Sequence, residues 1–345
     1  MTAKVLTEFS KPPADVAAHT ARLIEGNSAL LANQRKAALE LEGLQRRSRC
    51  LLCDGECADV PRFQHRGVPY IECPACGHVQ CGLQLPVEFL SRHQRFTKIY
   101  PPLEINAYNE RTERIYRPKL DWLLRAGEQS GLGDLTGCAW FELGCGAGNF
   151  IHALQARGVT NVGGLDAEAM LVDQANGMLK EQLVHSFAGS LADAVKNHSS
   201  DIYVAWFVLE HSFEIREFLA ALSEKPRGTI FAFSVPTFGL AALLESAFGS
   251  HFARSLDSVV HLQMFTDRSI RFALDQAGYE IKAEWLFGQD ADDLHRAVVT
   301  SIPDPESTNL LREQLQLLAK AVPGIQAAID RVRLSDSRHV LAVKR

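Results

Sequence analysis

Apolar positions along this chain repeat with two different periods, and the change from one to the other divides it. Over residues 14–47, Val16, Leu23, Leu30, Ala37 and Leu44 recur every seventh residue, flanked by Ile24, Leu31 and Ala38. That spacing, among Ala, Leu, Glu, Gln and Arg and just after Pro12-Pro13, predicts one helix with an apolar stripe. Thr20, Asn27 and Gln34 are polar where a coiled coil needs apolar residues. The stripe is therefore expected against the rest of the chain, with a homodimer through this helix as the sharper alternative. Residues 106–124 also read as helical, before a loop marked by Gly127, Gly131, Gly133 and Gly137. From there on, short apolar runs alternate with helical stretches. Residues 139–143, 162–165, 183–187, 202–207 and 229–235 read as strands, followed by a helix over 267–277, a strand over 280–287, a helix over 310–332 and a strand over 339–343. This alternation predicts an α/β fold, a mostly parallel sheet with helices on both faces.

Composition changes the picture in two ways. The 345 residues are 46% apolar and 22% charged, which suits a globular chain and rules out a disordered or collagen-like one. Charge is uneven: residues 1–125 hold 18 Lys+Arg against 14 Asp+Glu, a net of +4, and the remainder holds 18 against 27, a net of −9. A net charge of −5 argues against a nucleic-acid partner. No apolar run reaches the roughly 18 residues of a membrane span, and the start MTAKVLTEFSKPP has no apolar leader. A cytoplasmic protein with no membrane partner is expected.

Six of the eight cysteines lie between Cys50 and Cys81. Cys50-Leu-Leu-Cys53 and Cys73-Pro-Ala-Cys76 are CxxC pairs separated by 19 residues. Each pair is a tight turn that aims two thiolates at one point, and two pairs complete a tetrahedron around structural Zn²⁺. Cys57, His78 and Cys81 stand near enough in sequence to substitute. A segment of this size builds little core, so metal would supply its folding energy. The organisation expected is a helical extension over 1–47, a zinc ribbon over 48–85, a helical, substrate-covering link over 86–135 and a cofactor-binding domain over 136–345. In the link, Tyr100 beside Pro101-Pro102 is expected as an anchored aromatic, with a substrate cover as the alternative.

The first strand of the rear domain ends in Phe141-Glu142-Leu143-Gly144-Cys145-Gly146-Ala147-Gly148-Asn149-Phe150. A strand running into a glycine loop and a helix is a cofactor cradle. Asn149 breaks the GxGxxG pattern of dinucleotide sites, and Glu142 is a poor neighbour for a pyrophosphate. A carboxylate there suits a cofactor without phosphate that carries a positive amino group, as S-adenosylmethionine does. Cys145 is expected to line the cofactor as a small residue. Asp166, 22 residues beyond Gly144, is spaced to hydrogen-bond ribose hydroxyls.

Four segments in order, FELGCGAGNF, GGLDAE, AGSLAD and VAWFVLEH, resemble the motifs of class I S-adenosylmethionine-dependent methyltransferases. The resemblance covers about 136–345 and implies a Rossmann-like core with a seven-stranded, mostly parallel sheet. It further implies that Glu142, Gly144, Gly146 and Gly148 hold the methionine end, Asp166 and Ala167 the ribose, and Ser190 and Leu191 the adenine, with Trp206 and Phe207 lining the pocket. With its double CxxC ending in CGHVQ, the chain is also similar to sugar C-methyltransferases of glycan and antibiotic pathways. In that family the Glu-His pair after the fourth strand, here Glu210-His211, faces the substrate.

Methyl transfer requires an aligned nucleophile, exclusion of water and removal of one proton. His211 is the natural base because imidazole titrates near neutrality, and Glu210 would orient it or bind a substrate hydroxyl. A role for His211 at a helix start, touching only cofactor, stays open. His261 either borders the acceptor site or belongs to the helix start near Thr266 and Asp267. The acidic run Phe287-Gly288-Gln289-Asp290-Ala291-Asp292-Asp293 is expected to be a solvated loop, with an acceptor contact or a metal as the alternative. The function expected is methylation of a small molecule or sugar in glycan or secondary-metabolite biosynthesis. The alternatives are an RNA methyltransferase gripping its substrate with the ribbon, and a non-catalytic scaffold with a relic cofactor fold.

Overall fold

A computed structural model describes residues 5–11, 14–86, 103–254, 256, 261 and 263–345. Tyr100 lies outside them. Five parallel strands form most of the main sheet: β5 (Trp140–Leu143), β6 (Val162–Asp166), β7 (Val184–Ser186), β8 (Ile202–Trp206) and β9 (Ile230–Pro236). Every residue of β5, β8 and β9 is buried, as parallel strands covered on both faces require. Two further strands, β11 (Tyr279–Phe287) and β12 (Ser337–Lys344), complete the seven that the pattern of apolar runs predicts. β12 enters antiparallel between β9 and β11, giving the order β11-β12-β9-β8-β5-β6-β7. An eighth strand, β1 (Leu6–Phe9), pairs parallel to β11 at the edge, from a segment that reads as helical extension in the sequence.

The N-terminal helix α1 spans Ala14–Glu40, its described buried positions are Asn27, Leu31 and Ala37, and Leu41 just after it is also buried. Asn27 donates to His251 O, whereas Leu30, on the expected heptad stripe, is exposed. Leu31 and Ala37 of the expected stripe are buried on this same chain, so among the described positions the departure is at Leu30. The segment after it forms a small antiparallel sheet from β2 (Arg62–His65), β3 (Val68–Glu72) and β4 (Val79–Cys81). A fourth strand, β10 (Gln263–Met264), arrives from the rear of the chain and pairs with β4. Cys50, Cys57, Cys73 and Cys76 share one apolar cluster with Phe141, Phe218 and Phe265, so ribbon and core are packed as one body.

The acidic run at 287–293 is not the solvated loop expected of it. It opens helix α10 (Asp290–Ser301), which follows α2 (Ile105–Arg111), α3 (Arg117–Gln129), α4 (Asn149–Ala156), α5 (Ala169–Leu179), α6 (Leu191–Asn197), α7 (Ile215–Ser223), α8 (Leu240–Phe248) and α9 (Asp267–Gln276). Asp290 and Asp293 are buried. Asp290 accepts from the backbone of Ala241 and Asp336, and Asp293 pairs with Arg254 and Arg296, each at 2.9 Å. Partners distant in sequence turn an apparently solvated loop into a buried ionic joint. The last helix, α11, spans Asn309–Arg331. No helix among the described residues is long and apolar enough to cross a membrane.

Candidate active site

The carboxyl ends of β5, β6 and β8 meet at one edge of the sheet, where open α/β folds place their ligands. β5 runs into the glycine loop, and Gly144, Gly146 and Gly148 all adopt left-handed backbone with φ of 65°, 54° and 73°. A Cβ on Gly144 would stand 2.8 Å from Val208 Cγ2, so the loop lies directly on the turn after β8. A Cβ on Gly146 would meet nothing within 4 Å, which leaves its face of the loop open to a ligand. Gly148 then caps α4.

Asp166 ends β6. Its carboxylate accepts from Gly146 N at 2.7 Å and from Glu168 N at 2.9 Å, so it fixes the loop. Burial raises its pKa against those two backbone donors. Cys145 is buried beneath the loop, and Ala167 is exposed beside Asp166. Ser190 caps α6 in a reciprocal bond with Asp193, so its hydroxyl is engaged, and Leu191 opens that helix half-buried. Trp206 ends β8 buried, and Phe207 follows it in left-handed backbone with φ of 56°.

Glu142 is 2% exposed, and its Oε2 has no hydrogen-bond partner among the described residues. Burial pushes its carboxyl well above the ordinary range, against the pull of Lys119. The sequence reading missed that lysine and its neighbours. The helix begun by α2 passes through a π-helical turn, Thr112–Tyr116, into α3, and π turns shift the faces on either side of them. Asn149 Nδ2 at the start of α4 ties this turn down through Thr112 Oγ1 at 2.9 Å. Lys119 is thereby buried with Nζ 4.6 Å from the Tyr116 ring centroid, 5.2 Å from Trp206 and 5.6 Å from Phe207. Burial lowers its pKa to about 7. The Tyr108 hydroxyl and Trp206 Nε1 are likewise buried without hydrogen-bond partners among the described residues. Three unpartnered polar atoms and an open glycine face fit a polar ligand with a cationic group and an apolar body.

Beyond the loop, the turn Leu209–His211 follows β8. Glu210 is 1% exposed, His211 half-buried, and His211 Nε2 lies 3.9 Å from Glu210 Oε1. His261 stacks on His211 with ring centroids 5.4 Å apart and planes at 25°. Gln263 Nε2 holds the turn by donating to Leu209 O at 2.7 Å and Ser212 O at 2.6 Å. Its Oε1 lies 2.7 Å from His78 Nε2, so a buried polar bridge runs from the ribbon to this turn.

In the ribbon, Cys50 Sγ lies 3.6 Å from Cys76 Sγ, and Cys53 Sγ lies 3.5 Å from Cys73 Sγ. All four sulfurs fall within 4.8 Å of one another. Among the sequence alternatives, His78 is turned to Gln263, and the Cys57 thiol lies 3.5 Å from Gly55 O.

A family profile described as a methyltransferase domain matches residues 108–284, just over half of the chain. No curated protein sequence matches it. Among solved structures, it resembles a magnesium protoporphyrin IX methyltransferase from Synechocystis PCC 6803 at 17% identity and a TM-score of 0.44, over 74% of this chain and 95% of that one. A SAM-dependent methyltransferase from Archaeoglobus fulgidus is similar at 16% identity and a TM-score of 0.42, over 70% of this chain and 100% of that one. A Galdieria sulphuraria protein described as a sarcosine dimethylglycine methyltransferase gives 14% identity and a TM-score of 0.42, over 65% of this chain and 84% of that one.

Proposed function

This chain belongs to the methyltransferase-domain family, and on that premise we propose that it is a class I S-adenosylmethionine-dependent methyltransferase with a small-molecule acceptor of sugar type. One observation carries the reading: a buried carboxylate, Glu142, keeps an unpartnered oxygen beside a glycine loop whose Gly146 face is open. When bound, S-adenosylmethionine supplies a methyl group on a sulfonium, activated for in-line displacement. Glu142 receives the α-ammonium. Asp166 receives ribose hydroxyls on lone pairs that its two backbone donors leave free. Gly144, Cys145, Gly146 and Gly148 let the backbone approach closely, while Ala167, Ser190 and Leu191 border the adenosine. Trp206 and Phe207 close the pocket and exclude water.

The acceptor end belongs to the Glu210-His211 turn, which sits on the loop through Val208. A sugar-type acceptor is supported by the CGHVQ ribbon and the LEH turn, and the net of −9 over residues 126–345 disfavours a polyanion. Structural Zn²⁺ is assigned to Cys50, Cys53, Cys73 and Cys76. Four thiolates at about 2.3 Å from a tetrahedral ion stand about 3.8 Å apart, close to the paired sulfur distances found here. Calorimetry with S-adenosylmethionine, then incubation with sugar acceptors and mass detection of a methyl gain, tests the proposal. Absence of S-adenosylmethionine binding refutes it.

A further inference from the structure

We propose that Glu210, His211 and His261 form a second metal site, which holds a divalent first-row cation at the acceptor end of the cleft. One donor atom from each of the three lies within 4.8 Å of the others. An octahedral cation with donors at about 2.1 Å sets neighbouring donors about 3 Å apart, so small rotations of two half-buried imidazoles close the set. Two imidazoles and a carboxylate on one side are a donor set for divalent Mn, Fe, Co or Zn that leaves positions open for other ligands.

A second observation points to a cation independently of that spacing. Glu210 Oε2 is buried and has no hydrogen-bond partner, and no Lys or Arg pairs with this carboxylate among the described residues. A buried carboxylate oxygen without a hydrogen bond is expensive, and a bound cation removes the cost. The turn is also held rigid, since Gln263 clamps it through two carbonyls from a position two residues beyond His261. The thiolate cluster in the ribbon is chemically distinct, because soft sulfur selects zinc whereas nitrogen and oxygen donors accept manganese.

The inference rests on the methyltransferase reading and names the acceptor class for that same site. A cation with open positions takes an acceptor with two neighbouring oxygens, such as a vicinal diol. The acceptor hydroxyl loses its proton to solvent and its oxygen forms the new bond to the methyl carbon. The carbon–sulfur bond breaks with its electron pair left on sulfur. An imidazole that ligates a cation has its lone pair occupied, so His211 acts here as a ligand and the general-base expectation gives way.

Protein verified to carry one zinc per chain, titrated with Mn²⁺ alone, with free Mn²⁺ read by electron paramagnetic resonance, tests the site. One Mn²⁺ per chain is expected, weakened at least tenfold in His261→Ala and in Glu210→Gln, with S-adenosylmethionine affinity unchanged by calorimetry in both. No saturable Mn²⁺ binding, or equal binding by the His261→Ala protein, overturns the inference and returns His211 to a base. If Glu210→Gln does not fold, the wild-type stoichiometry and the partly exposed His261 decide. Failure of the methyltransferase reading is seen separately, as absence of S-adenosylmethionine binding by the wild type.

Discussion

Lys119 shows how much one side chain is asked to bear. Its ammonium is buried among Tyr116, Trp206 and Phe207, with Arg111 opposing and Glu142 favouring its charge. The folded pKa of about 7 lies below the ordinary 10.5, so the unfolded chain binds the proton more tightly. Stability attributable to this group therefore rises from about pH 7 to 10.5 and is lowest below pH 7. Lys119→Met is expected to stabilise the ligand-free protein, with a gain at pH 6 larger than at pH 9 by about 2–3 kcal/mol. Denaturant unfolding at the two pH values measures it, and equal gains would count against a buried charge. Asp166 carries a different load, since it anchors Gly146 and, in the proposed complex, also holds the ribose. Hydrogen bonds to a charged acceptor contribute ~1.5–3 kcal/mol each. Asp166→Ala should accordingly weaken S-adenosylmethionine binding at least tenfold by calorimetry, and unchanged affinity would remove Asp166 from the ribose site.

At the level of elements, the strands were legible because buried parallel strands must be continuous apolar runs, and β5, β8 and β9 are such runs. The glycine loop was legible because the backbone at Gly144, Gly146 and Gly148 is left-handed, a requirement that glycine meets at little cost. What the sequence hid depends on partners far along the chain. The face of the helix carrying Tyr108 and Lys119 is set by a π turn and by Asn149, neither of which marks local periodicity. Asp290 and Asp293 read as solvated until Arg254, Arg296 and Asp336 close on them. Gln263 is the sharpest case, for a glutamine in HLQMF gives no sign that it joins a ribbon histidine to the Leu209 and Ser212 carbonyls. Gln263→Leu leaves His78 Nε2 without its partner and takes one donor each from the Leu209 and Ser212 carbonyls, of which Leu209 O keeps the Ser212 N–H at 3.1 Å; a buried group left unpaired costs about 1–3 kcal/mol. We expect turnover to fall at least tenfold while S-adenosylmethionine affinity stays within twofold, together with faster amide exchange at 210–212. Unaltered turnover would mean that the bridge only fills space.

Across the whole molecule, the ribbon is built into the rest of the chain. β10 pairs with β4, Arg268 donates to Pro74 O and Ala75 O, and Thr266 donates to Gly77 O at 2.9 Å. The cysteine turns also share an apolar cluster with strands of the main sheet. A ribbon attached by a flexible link would unfold alone on losing its metal and leave the glycine loop intact. A shared core predicts coupling instead, since the energy that orders the cysteine turns also holds α9 and the turn at Glu210. Structural zinc binding is worth roughly 10–16 kcal/mol in isolated fingers, so even a modest share transmitted to the core would be visible. Chelation, or Cys53→Ser, is therefore expected to lower the midpoint of a single thermal transition by roughly 10 °C rather than to split it in two. Near-ultraviolet circular dichroism reports the buried Trp140 and Trp206 of the main sheet, and zinc release can be followed on the same sample. Coincident curves would show one cooperative unit. A tryptophan signal that survives after zinc has left would show that ribbon and sheet fold apart, and the shared apolar cluster would then contribute little to either.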